Sequence, residues 1–118
     1  MEKNLLETLE VTNEFIINII EKLVDTATSF QSSDDSQGFN KLILLIDDLL
    51  LLNEALESIN TSVNEQIFNM NIINNILIEF NEALENNDIV MISDLLEYEV
   101  RPFLGMISDN INGIIKGN

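Results

Sequence analysis

Tyr98, Glu99 and Arg101 come closest to a chemical site, because they bring a phenol, a carboxylate and a guanidinium together in the stretch SDLLEYEVRPFL, residues 93–104. Pro102 follows, and a proline removes one helical N–H and crowds the carbonyl four residues earlier, here that of Tyr98. We therefore expect a helix with a kink near 98–102. If the kink opens, Tyr98, Glu99 and Arg101 line a small polar pocket. The alternative is a kink whose polar groups are satisfied locally.

Other chemistry is limited by the residue types that the chain lacks. It has 21 acidic residues but no histidine and no cysteine, which excludes zinc sites and the Glu-x-x-His pairs of di-iron bundles. Its glycines form no phosphate-binding loop, and its acids do not follow EF-hand spacing. Among so many carboxylates, chance pairs are expected and carry no argument for acid–base catalysis. The sequence predicts a protein that is not an enzyme and that uses no metal or cofactor.

The charge restricts the partners. A net charge of −16 on 118 residues repels phosphate backbones and anionic lipids and attracts basic partners. We therefore expect no nucleic acid and no membrane among the partners. The N-terminal residues lack the basic and apolar regions of a signal peptide, and the apolar run 42–52 is too short and too charged to span a bilayer. These features favour a cytoplasmic location.

Apolar periodicity places the chain in the all-α class, as one domain over residues 1–118. The pattern predicts an antiparallel up-and-down four-helix bundle, because four amphipathic segments are joined by short polar stretches. Asp35 or Ser36 is positioned to cap the second helix, and Asn87 or Asp88 the fourth. The predicted helices cover residues 3–31, 37–59, 62–86 and 88–115, the last with the kink near Pro102.

The boundary between the second and third helices is the least defined. Ser62 and Glu65 match a capping box, in which each side chain satisfies a backbone N–H at a helix start, so we begin the third helix at Ser62. The competing interpretation is one continuous helix over residues 37–86, about 75 Å long at 1.5 Å per residue, which would require a dimer.

Two further observations concern exposed and buried positions. Leu44 and Leu51 fall within the polar side of the second helix, and Phe68 and Ile72 lie opposite the apolar seam of the third. These four predict a joint apolar strip for self-association or for a partner helix, although isolated exposed apolar residues are common and need mean nothing. Glu99 falls on the inner face of the fourth helix, where an unpaired carboxylate is costly.

Part of the last helix resembles a known pattern. Asp88, Asp94, Leu95, Leu96, Tyr98, Glu99 and Pro102 resemble a stretch of an uncharacterised family of small acidic all-helical proteins from low-GC Gram-positive bacteria. That resemblance implies a helical fold and no assigned activity. In size, charge and helix pattern the chain is also similar to flagellar export chaperones, acidic helical bundles that wrap a partner's helix; no motif supports this second similarity.

These observations predict a non-enzymatic protein–protein interaction module. It would dimerise, or bind a basic or amphipathic helix of a partner through its second and third helices, as a chaperone-like protein does. One alternative is an acidic mimic of nucleic acid that inhibits a DNA-binding protein. Another is a small-ligand sensor at the kink of the fourth helix.

Overall fold

The structure is a computed structural model that describes residues 2–117. These residues are almost entirely helical. No strand occurs among them, so the predicted all-α bundle class is confirmed. A π-helical turn, Leu96–Val100, joins the last two helices without interruption. The helices are α1 (Lys3–Gln31), α2 (Asp35–Val63), α3 (Met70–Glu85), α4 (Ile89–Leu95) and α5 (Arg101–Lys116).

One apolar core runs the length of the bundle, whose extents are 47 × 22 × 19 Å. The buried apolar residues recur at intervals of three, four or seven, which places them on one face of each helix. On α1 and α2 they are Leu9, Ile16, Ile19, Leu23 and Phe30, and Leu42, Leu45, Leu49, Leu52, Leu56 and Ile59. These two helices of 29 residues each form the longest pair in the bundle.

Polar contacts fix how α1 packs on its neighbours. Lys22 Nζ lies 2.8 Å from Asp48 Oδ2, and Lys41 Nζ lies 3.2 Å from Asp25 Oδ1. Later residues of α1 thus meet earlier residues of α2, so these two helices are antiparallel. Asn13 ties α1 to α5, because its Nδ2 donates to Asn112 Oδ1 at 3.1 Å and its Oδ1 accepts from Ser108 at 2.7 Å. The up-and-down order of the whole bundle stays a prediction.

The α1–α2 and α3–α4 connections have the same short conformation. After α1, Ser33 takes a left-handed conformation (φ 61°), and after α3 Asn87 does so (φ 49°). The following aspartate then caps the next helix: Asp34 accepts from the Gln37 N–H, and Asp88 from the Met91 N–H. Short polar residues tolerate this geometry better than bulky ones.

Two predictions concern these caps. Asp88 was one of the two caps predicted for the last helix, and the structure confirms it. The prediction of Asp35 or Ser36 for α2 was wrong, since Asp34 is the cap and α2 begins at Asp35 rather than 37.

The connection between α2 and α3 departs furthest from the sequence prediction. Ser62 lies in the last turn of α2, which ends at Val63 instead of 59, and α3 begins only at Met70 with Asn69 as its cap. The capping box at Ser62 and Glu65 is therefore wrong, and so is the continuous helix 37–86. Asn64 ends α2 in a left-handed conformation (φ 55°), and the Glu65 N–H donates to the Asn60 carbonyl at 3.1 Å. This is a Schellman ending with asparagine where glycine is more usual.

A buried asparagine secures that connection. Asn60 Nδ2 donates to the Phe68 carbonyl at 2.9 Å, and the Phe68 N–H donates to Asn60 Oδ1 at 3.0 Å. Both partners are buried, and Phe68 is 1% exposed. Because an unpaired buried backbone group is costly, the amide of Asn60 makes it possible for a non-helical segment to carry Phe68 into the core.

The π-helical turn lies directly before the only proline. The Arg101 N–H donates to the carbonyl of Leu96, five residues earlier, instead of to one four residues earlier as in a regular α-helix. Pro102, which has no N–H to donate, follows at the second residue of α5, so the chain departs from the regular i→i−4 pattern directly before the residue that cannot continue it. The sequence predicts a kink near 98–102; the structure places a π-helical turn at Leu96–Val100, and a bend of the helix axis stays a prediction.

Candidate functional site

The largest group of exposed apolar side chains on one helix lies on α2. Ile43 is 53% exposed, Leu44 62%, Leu50 46% and Leu51 54%. Ile43 and Leu50 are seven residues apart, as are Leu44 and Leu51, so they form two short rows along the helix. Between the rows runs a third, formed by Asn40, Asp47 and Glu54, which are all exposed. We call these seven residues the outer face of α2.

The edge of this face that adjoins α1 is polar and already paired. A groove of about 280 Å³ lies there, with Leu44 and Asp47 in its wall. Lys22 and Lys41 also line it, but they are engaged with Asp48 and Asp25. No ion pair to Asp47 or Glu54 occurs within residues 2–117. The outer face therefore combines two apolar rows with a central polar row whose two acids, Asp47 and Glu54, have no salt-bridge partner among the described residues.

Two of the four residues predicted for the apolar strip are exposed on α2, and the other two lie elsewhere. Leu44 and Leu51 are exposed, as predicted, whereas Phe68 was predicted to be exposed and is buried by the connection described above. Ile72 is half-buried and faces a different groove, which it lines with Tyr98. The joint strip of the second and third helices therefore does not form; the interface role of Leu44 and Leu51 stays a prediction.

The predicted pocket near Pro102 corresponds to a pair of open clefts between α3 and the last helices. One cleft, of about 420 Å³, is lined by Leu95, Met91 and Val90 among others, and its neighbour, of about 430 Å³, by Ile76, Pro102 and Met106 among others. Three residues line both: Glu79, Tyr98 and Glu99. We call the two clefts together the π-turn groove, because the π-helical turn presents Tyr98 and Glu99 to them.

Two carboxyl groups meet at the middle of the π-turn groove. A hydrogen bond between the side chains of Glu79 and Glu99 raises the pKa of Glu99 above its ordinary 4.5, and partial desolvation and repulsion from Glu79 act in the same direction. Two carboxyls so close favour a shared proton, because both cannot ionise without repulsion. Proximity to α3, not burial, is therefore the main cause of the shift.

Of the three residues predicted for the pocket, the structure brings two together. Tyr98 is 72% exposed and lines both clefts, as does Glu99. Arg101 lines neither; its Nη1 lies 3.8 Å from Glu97 Oε2, on the surface of the same helix. The prediction that Glu99 lies on the inner face was wrong, since the residue is exposed. Glu99 lies within the π-helical turn Leu96–Val100, where side-chain directions differ from those of a regular helical wheel.

Sequence reasoning placed Asp47 on the outward side of this helix with Leu44 and Leu51, but missed Ile43 and Leu50 as parts of the same surface. The signal was present: the polar positions 40, 47 and 54 are spaced by seven, with apolar residues on each side. A helix this rich in leucine is normally interpreted as buried all round, which hid the exposed rows.

The described residues give no support to two further kinds of site. Within residues 2–117, no group of three or more acidic side chains is arranged to hold a metal ion. None of the helices in that range is both long and apolar enough to cross a membrane.

The fold is that of an all-helical protein with two candidate surfaces, the outer face of α2 and the π-turn groove. The model of a domain of unknown function, DUF8042, matches residues 7–110, so the chain belongs to that family. The expected membership in an uncharacterised family is thus confirmed, while the low-GC Gram-positive origin stays a prediction. No curated protein and no solved structure matches the chain.

Proposed function

We propose that this protein is a non-enzymatic protein–protein interaction module that docks a partner on the outer face of α2. The observation that carries the proposal is the grouping of Ile43, Leu44, Leu50 and Leu51, each about half exposed, on neighbouring turns of one helix. Exposed apolar side chains are ordinary when scattered, but a contiguous group rimmed by polar residues is typical of a docking surface. Holding a partner's helix in the manner of a chaperone is one form of this function.

Site-specific photo-cross-linking tests the proposal. A photo-reactive amino acid at Leu51 is compared with the same substitution at Ile78, an isolated apolar residue of α3 that is 66% exposed. We expect an adduct with a second polypeptide at position 51 and none at position 78, in the native cell at the natural expression level. Equal adducts at both positions, or no adduct at position 51, would contradict the proposal.

The π-turn groove favours a second candidate function, the binding of a small ligand. The observation in its favour is that clefts of about 420 and 430 Å³ open on both sides of Glu99, with apolar and carboxyl groups in their walls. A small organic cation with a methylene chain fits that lining. Tyr98 is the only tyrosine and the chain has no tryptophan, so its fluorescence reports this groove alone. A titration with 1,4-diaminobutane that leaves the emission unchanged at millimolar concentration excludes this ligand class.

A further inference from the structure

The middle row of the outer face of α2 decides what can dock there. The central residue is Asp47, with Ile43 and Leu44 on one side along the helix and Leu50 and Leu51 on the other. Its side chain is exposed and has no ion pair within residues 2–117. Any helix that covers the apolar rows must therefore also place a group against this carboxylate.

A second copy of the chain does not meet that requirement. In an antiparallel two-fold contact centred on the patch, position 43 meets 51, position 44 meets 50, and Asp47 meets the Asp47 of the other copy. In a parallel two-fold contact every residue meets its own copy, so both Asp47 and Glu54 are opposed by like charges. A two-fold interface is self-complementary, and one centred on Asp47, which covers both apolar rows completely, opposes carboxylates in either direction. The net charge of −16 per chain adds repulsion at longer range.

A cationic helix meets the requirement in full. Asp47 and Glu54 lie about 10.5 Å apart along α2, seven residues at 1.5 Å each, and a lysine or arginine pair at the same spacing in a packed helix lies opposite them. The central row lies between the two apolar rows, so a side chain that reaches Asp47 from a packed helix also touches apolar surface. The methylenes of a lysine can lie along Leu44 and Leu51 while its ammonium pairs with Asp47.

We infer that the outer face of α2 binds an amphipathic helix of a different protein, with basic residues seven positions apart at the centre of its apolar side. This inference rests on the proposed function and names its partner by chemistry. The arrangement of α2 indicates that the partner is helical, because rows of exposed side chains along a helix suit the side-by-side packing of a second helix. The negative charge of Asp47 and Glu54 indicates that the partner helix is positively charged where it covers them.

Three synthetic helical peptides of 18 residues test this inference. They share leucine rows and differ only at two central positions seven apart, which carry lysine, glutamine or glutamate. Binding of each peptide is measured with the wild-type protein, with Asp47→Lys, and with Glu10→Lys, which changes the net charge equally but lies on α1. Leu51→Glu serves as the variant that blocks the apolar rows.

We expect the lysine peptide to bind the wild type most tightly, and Asp47→Lys to weaken it about tenfold, the effect of one close charge pair. Asp47→Lys should strengthen binding of the glutamate peptide by a similar factor. Glu10→Lys should change the affinity for the lysine peptide and for the glutamate peptide by less than about threefold.

Three outcomes would overturn the inference. If all three peptides bind equally and Leu51→Glu abolishes each, the face docks helices without selecting charge, so the inference fails and the proposed function stands. If sedimentation shows a dimer that Leu51→Glu dissociates, the occupant is a second copy. If no peptide binds at all, the inference fails, and the cross-linking result then decides separately on the proposed function.

Discussion

The outer face of α2 and the α2–α3 connection carry the same kind of apolar side chain, yet Leu51 is 54% exposed and Phe68 is 1% exposed. In the first region a regular helix presents apolar residues away from the core, and no described element covers them. In the second the chain leaves the helical conformation, and Asn60 pairs with the backbone of Phe68 so that the ring is buried. An apolar residue outside the seam of a helical wheel therefore indicates a docking surface only where the helix is actually continuous.

The largest expected effect comes from placing a charge in each region. Phe68→Glu would bury a carboxylate and lose a packed ring, so we expect a loss of about 4 kcal/mol or more in the free energy of unfolding. Leu51→Glu adds a charge to an exposed site and should change it by less than about 0.5 kcal/mol. Urea unfolding followed by circular dichroism measures both. If Phe68→Glu proves too unstable to purify, Phe68→Leu should still cost about 1–2 kcal/mol. Equal losses of stability at positions 68 and 51 would contradict the assignment of Phe68 to the core and of Leu51 to the surface.

An intermediate effect is expected from the amide that secures the connection. Asn60→Ala leaves the buried N–H and C=O of Phe68 without their partners, which should cost about 2–4 kcal/mol. Asn53, one heptad earlier on α2, is the matched control, because its buried Oδ1 accepts no hydrogen bond within residues 2–117. Asn53→Ala should therefore cost less than about 1 kcal/mol. Similar denaturation midpoints for the two variants would show that the Asn60 bonds do not hold the connection.

The smallest expected effect concerns the π-turn groove, where acids face each other instead of apolar residues. Since the pKa of Glu99 is raised in the folded protein, chiefly by its hydrogen bond with Glu79, the folded state holds this proton more tightly than the unfolded state. The resulting stabilisation is complete below the unfolded pKa and is lost as the pH rises through the raised folded pKa.

Glu99→Gln should therefore be more stable than the wild type at pH 7 by about 0.3 kcal/mol, the size of a like-charge surface contact. The gain should shrink at acidic pH, where Glu99 is protonated. Glu82→Gln, an exposed acid on the same helix α3 as Glu79, controls for the loss of one negative charge from the whole surface. A gain that does not depend on pH, or that is the same for both variants, would contradict the assigned carboxyl contact.

Short-range sequence patterns predicted the positions of most helices, but they did not predict how α2 connects to α3. Apolar spacing of three and four located the helices, and polar residues at the helix boundary correctly included Asp88 as a cap. The α2–α3 boundary was missed because its determinants are distant in sequence: Asn60 and Phe68 are eight residues apart and meet only once the connection has folded. Ser62 and Glu65 satisfied a local rule that this tertiary contact overrides.

The site predictions divided in the same way. Leu44 and Leu51 were correctly placed on the exposed side because α2 is regular there, and Tyr98 and Glu99 were correctly grouped because they are adjacent in the chain. The burial of Phe68, the separation of Arg101 from the groove and the exposure of Glu99 depend on a non-helical segment and a π-helical turn. Both change the direction of side chains by an amount that a regular wheel does not include.

The central claim is that the outer face of α2 is the surface on which a helix docks, and methyl NMR tests it most directly. The lysine peptide is titrated into protein labelled at the Ile, Leu and Val methyl groups, and the shifts are mapped along the chain. We predict changes at Ile43, Leu44, Leu50 and Leu51, with Ile78 and the groove residue Val90 unchanged. Shifts confined to Val90 and Leu95 in the π-turn groove, or no shifts at the four residues of α2, would contradict the claim.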